Sequence, residues 1–428
     1  MNVLLLGSGG REHAIAWKLS QSPKLSKLWI APGNAGMEQL GELVDVKAMD
    51  LDGVVALAER THTELVIVGP EDPLAAGITD RLTAAGFRTF GPTAAAARLE
   101  SSKNFANQLM GNAGIATSRG QTFDDPDAAK AYVRDCGYQV VIKADGLAAG
   151  KGVTVCDDAS EAEAAIDHIM VERAFGDAGG RLVVEERMYG RETSAHAFTD
   201  GITVRHMPFS CDHKPVFDDN VGPNTGGMGV YSPPAWLDDA TAEAVRHDVT
   251  ERAVRAMADA GNPYAGVIYP GMMVTADGPR VVEFNGRFGD PEAEVLLPKL
   301  RSDLLEICNA VADRRLSEVP VEWDDVATVG VMMASGGYPN AYETGKPISG
   351  IDTVDDDVQV FIAGAKRDAE GRIVTSGGRV LCVVARGSSM HEARERAYDN
   401  VARISFEGAH YRTDIGAIAD QPLEAIAR

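Results

Sequence analysis

Val140-Val141-Ile142-Lys143-Ala144-Asp145-Gly146-Leu147-Ala148-Ala149-Gly150-Lys151-Gly152-Val153 decides how this chain is to be read. Apolar, β-prone residues surround Lys143, and Gly152–Val155 resumes that character after a glycine-rich link. A P-loop needs G-x-x-x-x-G-K-[ST] running into a helix. Here Gly146 and the pair Gly150-Lys151 stand one residue too close, and the chain continues as a strand. The pattern therefore predicts two strands with a glycine flap between them. Backbone N–H groups along Gly146, Gly150, Lys151 and Gly152 suit closure over phosphates, as in the glycine-rich loop of a kinase. Lys143, with apolar neighbours on both sides, needs an anionic partner once buried. From a strand its ammonium reaches an α- or β-phosphate.

Two acidic strands accompany this loop. Val183-Val184-Glu185-Glu186-Arg187-Met188 closes the predicted strand Arg181–Glu186. A strand end of this kind pairs its backbone with an adenine edge and offers Glu185 or Glu186 to ribose hydroxyls, with Glu192 a further candidate. Taken singly, such acids are ordinary surface residues. The second strand is Val281-Val282-Glu283-Phe284-Asn285-Gly286-Arg287, followed by Phe288-Gly289-Asp290-Pro291-Glu292. Alternation predicts Val282 and Phe284 in the core and Glu283 and Asn285 together on the opposite face. Two oxygen ligands one strand step apart suit Mg²⁺, which takes hard oxygens and keeps water and phosphate in its shell. Arg287, past the bend at Gly286, can fork onto a carboxylate or a transferring phosphoryl. The neighbouring strand offers Met272 and Met273 and no second acid, so protein ligands alone leave that shell incomplete.

Upstream, Val3–Leu6, Leu28–Ala31 and Leu65–Val68 read as buried strands, with helices Arg11–Leu19 and Val54–Arg60 between them. That alternation predicts a parallel sheet. The loops after these strands, Gly7-Ser8-Gly9-Gly10-Arg11, Pro32-Gly33-Asn34-Ala35-Gly36 and Gly69-Pro70-Glu71, gather at one crevice in such a sheet. The first invites a nicotinamide-dinucleotide reading. Glu12, however, replaces the third glycine of G-x-G-x-x-G, and the second strand ends at Ala31-Pro32-Gly33 without an acid for a ribose hydroxyl. A monophosphate beside Arg11 fits better, and a tight turn without ligand stays open. Asn34 and Glu71 suit sugar hydroxyls or an amine, or turn chemistry alone.

Farther along, Thr117 to Arg191 looks like a small α+β lobe inserted into a larger one, and the last hundred residues are again β-rich. Asp212-His213-Lys214 and the stretch Gly222–Gly229 read as a polar loop outside the core. Pairing of Cys211 with His213 as nucleophile and base is disfavoured, because such pairs meet in space rather than in sequence. A chain of 428 residues is sized for two to four lobes. Its 63 acidic and 41 basic residues give a net charge of -22, which argues against nucleic acid and anionic membrane as partners. Five scattered cysteines without a C-x-x-C pair fit a reducing cytosol. A start without a basic leader, and no apolar run near the ~20 residues of a membrane span, predict a cytoplasmic protein.

In order and spacing, VLLLGSGGREHA, APGNAG, VIVGPEDPL, FGPT, VIKADGLAAGKGV, AFGDAG, DHK, GPNTGGMG, EFNGRFGDPE and SGGRVLCV resemble the phosphoribosylamine–glycine ligases, also called glycinamide ribonucleotide synthetases, from Met1 to about Asp414. The resemblance implies an α/β and α+β multidomain ATP-grasp protein. Its parts would be an N-terminal parallel-sheet lobe for phosphoribosylamine (1–101), an ATP-grasp domain (102–326, lid about 117–191) and a β-rich C-terminal lobe (327–428). It also implies ligation of glycine to 5-phosphoribosylamine, with ATP as substrate, Mg²⁺ or Mn²⁺ as metal, and a monomeric or weakly associating chain.

By the same resemblance, Lys103 and Lys143 meet ATP phosphates, Glu186, Met188 and Glu192 meet the nucleoside, and Glu283 and Asn285 bind the metal. Gly9, Gly10, Arg11, Gly33, Asn34, Gly36, Pro70 and Glu71 are expected around phosphoribosylamine. Asp212, Asn224, Thr225, Gly226, Gly227 and Arg287 are expected around glycine, and Lys143, Arg287, Asp212 and Lys214 in catalysis. Two places depart from the family's pattern: Cys211 and Pro215 flank Asp212-His213-Lys214 where Gln and Arg are usual, and Ala293-Glu294 stands where Thr-Gln is usual. The rival readings are another ATP-grasp ligase or a bicarbonate-using carboxylase of purine synthesis, a nicotinamide oxidoreductase built on Gly7–Gly10, and a nucleotide-binding protein without turnover.

Overall fold

The computed structural model describes residues 1–147 and 152–421. The expected flap residues Gly150 and Lys151 lie outside the described residues.

The first sheet is parallel, in the order Glu42–Leu43, Lys27–Pro32, Asn2–Gly7, Leu65–Val68, Arg88–Phe90. Its central strands are apolar throughout because both faces are covered. Val3, Leu5, Leu65 and Ile67 pack on one side with Ala14, Ile15 and Leu19 of helix Gly10–Leu19. Leu4, Leu6, Val66 and Val68 pack on the other with Val54, Leu57 and Ala58 of helix Leu51–Arg60. The helices and strands read from periodicity are all present.

Next comes an antiparallel four-stranded sheet, Gly120–Phe123, Leu182–Glu186, Val140–Ala144, Val153–Val155. Ile142, Ala144, Leu182 and Val184 form its core with Ala129 and Val133 of helix Pro126–Asp135 and with Ala162 and Ile166 of helix Ala159–Ile166. A second antiparallel sheet is built on the long strand Ala265–Thr275, flanked by Arg191–Ser194, Ala197–Asp200 and Gly278–Asn285.

The polar stretch around Asp212 is not a free loop. Cys211–Asp212 and Gly229–Ser232 form two strands of a five-stranded sheet whose others are Ala327–Ala334, Arg379–Gly387 and Gln359–Ile362. The expected C-terminal lobe thus shares its sheet with segments far upstream in the chain. Polar composition concealed them because Asp212 and Thr225 line a cleft while Cys211, Val230 and Tyr231 on the same strands are buried. Helix Met390–Val401 seals the sheet with Met390, Ala393, Ala397 and Val401.

Gly278–Asn285 departs from simple alternation. Gly271 pairs with Glu283 and Met272 with Val281, leaving Val282 as an extra, bulged residue. The core residues are therefore Val281 and Phe284, not Val282 and Phe284 as expected. Glu283 and Asn285 still turn to the cleft side.

Candidate active site

A cavity of about 310 Å³ lies where the sheets meet, bordered by Arg11 and Glu71 of the first lobe, by Lys103, Glu185 and Glu283 of the middle, and by Arg379 of the C-terminal sheet. Lys103 enters it from the first turn of helix Lys103–Ala113, which Ser102 caps by accepting from Phe105 N at 3.2 Å. Its Nζ donates to the Gly146 carbonyl at 3.4 Å, and no carboxylate lies within ion-pair distance among the described residues. Burial lowers its proton affinity, which the carboxylate of Glu283 partly restores.

Lys143 is 4% exposed. The sequence demands an anion for it, and the protein supplies one: Nζ lies 2.7 Å from Glu185 Oε2 and donates to the bulged Val282 carbonyl at 2.9 Å. Glu185 also accepts from Ser118 Oγ at 2.9 Å and Asn107 Nδ2 at 3.4 Å. Its carboxylate is thereby committed to holding a lysine, which leaves little of it for the ribose expected there. Glu186 is turned outward into a two-bond pair with Arg119, at 2.9 and 2.8 Å, which holds its carboxyl below the usual range. Glu192 pairs with Lys214 at 3.3 Å. None of Glu186, Met188 and Glu192 lines the cavity, whereas Gly146 and Gly152 do.

Glu283 and Asn285 project from one strand face, and neither side chain has a hydrogen-bond or ion-pair partner among the described residues. Burial favours protonation of Glu283, but Lys214, Lys143, Lys103 and Arg287 outweigh it and keep the carboxyl ionised below its ordinary value. An ionised carboxylate and an amide oxygen, both with free lone pairs, fit a hard divalent cation. No cluster of three or more His, Cys, Asp or Glu side chains surrounds a point among the described residues, so water and phosphate must complete such a shell.

Arg287 is more constrained than its sequence position promised. Its guanidinium meets Glu71 Oε2 at 3.1 Å, Glu100 Oε1 at 3.2 Å and Tyr269 Oη at 2.8 Å. It clamps the first lobe to the strand of Glu283, and little of its donor fork is left to embrace a ligand. Burial pushes the Glu71 carboxyl up, but Arg287 and Arg11 prevail and bring it down to about 2.

Of the residues expected around phosphoribosylamine, Arg11 and Glu71 line the cavity; Gly9, Gly10, Gly33, Asn34, Gly36 and Pro70 do not. Asn34 donates to the carbonyls of Ser8 (2.9 Å) and Ile362 (2.7 Å) and accepts from Gly36 N, stapling this loop to the C-terminal sheet. Glu12 takes the space a dinucleotide would need. A Cβ on Gly7 or Gly69 would lie 2.4 or 2.2 Å from its side chain, and its carboxylate accepts from Gly9 N at 2.6 Å.

Asp212, Lys214, Thr225 and Gly226 line the cavity, and Asn224 and Gly227 do not. Lys214 is held protonated by Glu192, then by Glu283 and Asp212. The Cys211 thiol is pushed up to about 12 by burial, which removes it as a nucleophile. Sequence reading passed over Glu100, Ser194, Tyr269, Glu292 and Arg379, all at the cavity. Glu292 and Arg379 fall inside two of the quoted motifs and were within reach; the others carry no local signal.

Comparison with known proteins now bears on this cleft. The chain matches the family Phosphoribosylglycinamide synthetase in three consecutive parts: N domain over residues 1–100, ATP-grasp (A) domain over 101–293 and C domain over 328–418. A phosphoribosylamine–glycine ligase from Halalkalibacterium halodurans is 45% identical over 427 residues, 99% of either chain. One from Vibrio vulnificus is 47% identical over 420 residues, 97% of this chain and 98% of that protein. The crystal structure of phosphoribosylamine–glycine ligase from Thermotoga maritima gives a TM-score of 0.84 at 31% identity, covering 97% of this chain and 100% of that one. A biotin carboxylase–β,γ-ATP complex from Campylobacter jejuni has the same fold, with a TM-score of 0.76 at 17% identity, covering 98% and 95%. The chain belongs to the phosphoribosylglycinamide synthetase family.

Proposed function

We propose that this protein joins glycine to 5-phosphoribosylamine with hydrolysis of ATP, yielding glycinamide ribonucleotide, ADP and phosphate in purine biosynthesis. Membership of the family and the names of its full-length relatives support the reaction. The observation that carries the site is the pair Glu283 and Asn285, uncommitted on one wall, with Lys103 at the same cavity and the charge of the buried Lys143 reaching Glu283 from behind it.

Lys103 and Lys143 would hold the triphosphate, with Gly146 and Gly152 on the wall beside it. Glu283 and Asn285 would hold Mg²⁺ or Mn²⁺, which when bound neutralises phosphate charge. A glycine carboxylate oxygen attacks the γ-phosphorus, the bond to ADP breaks, and glycyl phosphate forms. The nitrogen of phosphoribosylamine then attacks the acyl carbon. Phosphate departs, and the amine's surplus proton leaves with it or to solvent. Lys214, kept charged by Glu192, supports the build-up of negative charge on the transferring group. Arg287 contributes by position, fixing Glu71 and Tyr269 beside the reacting atoms.

The expected lobes, 1–101 for phosphoribosylamine, 102–326 for ATP and 327–428 as a β-rich cover, remain our assignment of roles. A cytoplasmic setting is supported by cysteines that are all free among the described residues and by the lack there of a helix long and apolar enough to cross a membrane. The test is a coupled ADP assay in which glycine, phosphoribosylamine and ATP are omitted in turn. Full ADP release without glycine, or with bicarbonate in its place, would overturn the reading in favour of a carboxylase.

A further inference from the structure

A second cavity, of about 360 Å³, lies away from the cleft. Trp17 and Lys18 line it from helix Gly10–Leu19, Arg301 from the segment beyond helix Glu292–Leu296, and Gln359 and Arg386 from the C-terminal sheet. The same helices and the strand Arg379–Gly387 reach the cleft at their other ends, through Arg11, Glu292 and Arg379. Arg379 and Arg386 are about 20 Å apart along that strand at ~3.3 Å per residue. Both cavities can therefore be filled at once.

Three cations here, Lys18, Arg301 and Arg386, share one lining acid, Asp324. The sharing is loose. Arg386 and Arg301 stand 3.7 and 3.8 Å from its oxygens, beyond hydrogen-bond length. Lys18 has no carboxylate within ion-pair distance among the described residues and donates only to Gln21 Oε1, at 3.2 Å. Nearby acids do not make up the shortfall. Asp303 accepts from Ser22 Oγ at 2.7 Å and caps helix Leu304–Ala312. Glu322 meets Arg301 at 3.5 Å where both side chains are 59% exposed. Burial lowers the proton affinity of Lys18; Asp324 and Asp303 oppose this and Arg386 adds to it.

In a chain of net charge -22, a concave group of under-compensated cations is where an anion is drawn. Arg386 donates from Nη1 to the Pro298 carbonyl at 3.4 Å, and Arg301 makes no side-chain hydrogen bond among the described residues. Two open guanidinium forks and an ammonium match the oxygens of a phosphate. Beside them stands the half-buried Trp17, steadied edge-on by Phe361 at 5.8 Å. An indole wall suits a flat ring, and the neighbouring Gln359 can meet that ring's polar edge. The volume falls within the range of about 300–1,000 Å³ usual for small-ligand sites. We propose that this cavity binds a nucleoside monophosphate, its phosphate held by Lys18, Arg301 and Arg386 and its base laid against Trp17. The site goes beyond the ligase reading and does not rest on it.

The experiment is calorimetric titration of the full chain with adenosine monophosphate while ADP and Mg²⁺ saturate the cleft. One equivalent should bind. Ribose 5-phosphate keeps the phosphate and lacks the base, and should bind about 10-fold or more weakly, as loss of a stacked base implies. Arg301→Gln combined with Arg386→Gln should weaken adenosine monophosphate about 10-fold or more, with turnover in its absence unchanged within about twofold. Trp17→Leu should bring the two ligands to nearly equal affinity.

No uptake while ADP fills the cleft overturns the inference, as does unaltered affinity in the double variant. Should Trp17→Leu not fold, ribose 5-phosphate binding the intact protein as tightly as adenosine monophosphate does the same. Failure of the unaltered enzyme to release ADP with glycine and phosphoribosylamine would instead count against the ligase reading and leave this site standing.

Discussion

The glycine loop after Asn2–Gly7 and the cleft face of Gly278–Asn285 both bring charge to the carboxyl end of a strand, yet they differ in how many of their polar atoms already have partners. In the loop, Arg11 is paired with Glu12 and Glu71, Gly9 N is bonded to Glu12, and the Asn34 amide is fixed to Ser8 and Ile362. On the strand, Glu283 and Asn285 have none among the described residues, and the facing Lys103 has a single carbonyl. Burial without partners is costly, and a ligand entering the cavity that Glu283 and Asn285 line would offset that cost. The loop spends its polar atoms on the fold, whereas the strand face keeps those of Glu283 and Asn285 free among the described residues.

Substitutions should therefore separate the two regions. The largest effect is expected from Glu12→Ala, which removes the nearer of Arg11's two carboxylate partners and the acceptor of Gly9 N, Arg11 itself being 6% exposed. Breaking such a buried pair costs about 3–5 kcal/mol, to be read from urea denaturation. A stability change below the error of the measurement would show that the loop is not held as described. Glu283→Gln should do the reverse, lowering kcat by about 10²- to 10³-fold with the thermal midpoint nearly kept. Equal damage to fold and turnover would erase the contrast. Asn34→Ala should cost about 1–2 kcal/mol of stability through its lost bonds, with the KM for glycine unmoved.

Acid offers a subtler probe. Burial lowers His13 and His213 to about 4 and His196 to about 3. Each stays neutral when folded while its unfolded counterpart takes a proton below about 6.5. The unfolded state then binds more protons, so stability is constant above that pH and falls as pH drops toward about 4. His13 Nδ1 accepts from Ile362 N at 2.7 Å, and His13→Asn should flatten that slope in urea midpoints taken from pH 7 to pH 4.5. The smallest effect should come from Glu294→Gln. This carboxyl is wholly buried without partners among the described residues and is raised well above its ordinary value by burial. Its folded form resists ionisation, so it weakens the protein increasingly as pH climbs past about 4.5. The variant's gain in thermal midpoint should be larger at pH 8 than at pH 5.

Sequence reading was strongest where one segment settles its own geometry. The parallel strands, the flap strands and the oxygen-bearing strand all announce themselves by local periodicity. It failed where geometry is set by a distant partner. Period-two alternation assumes regular pairing, and the extra residue opposite Gly271 and Met272 cannot be seen from Val281–Asn285 alone. Lys143 was known to need an anion, but that Glu185 provides it depends on the register between Val140–Ala144 and Leu182–Glu186. The binding of Arg287 by Glu71, Glu100 and Tyr269 draws on three remote segments. No spacing rule reaches that far.

The bulged residue in Gly278–Asn285 has an evolutionary corollary. Lys143 holds the main-chain oxygen of Val282, a group that every amino acid possesses. Many replacements of that valine should pass selection unnoticed, yet loss of its codon would restore regular pairing and take away the out-of-register carbonyl, leaving the buried ammonium with Glu185 alone among the described residues. Among descendants of this gene, drift in composition should be common at this point and a change in length almost never seen.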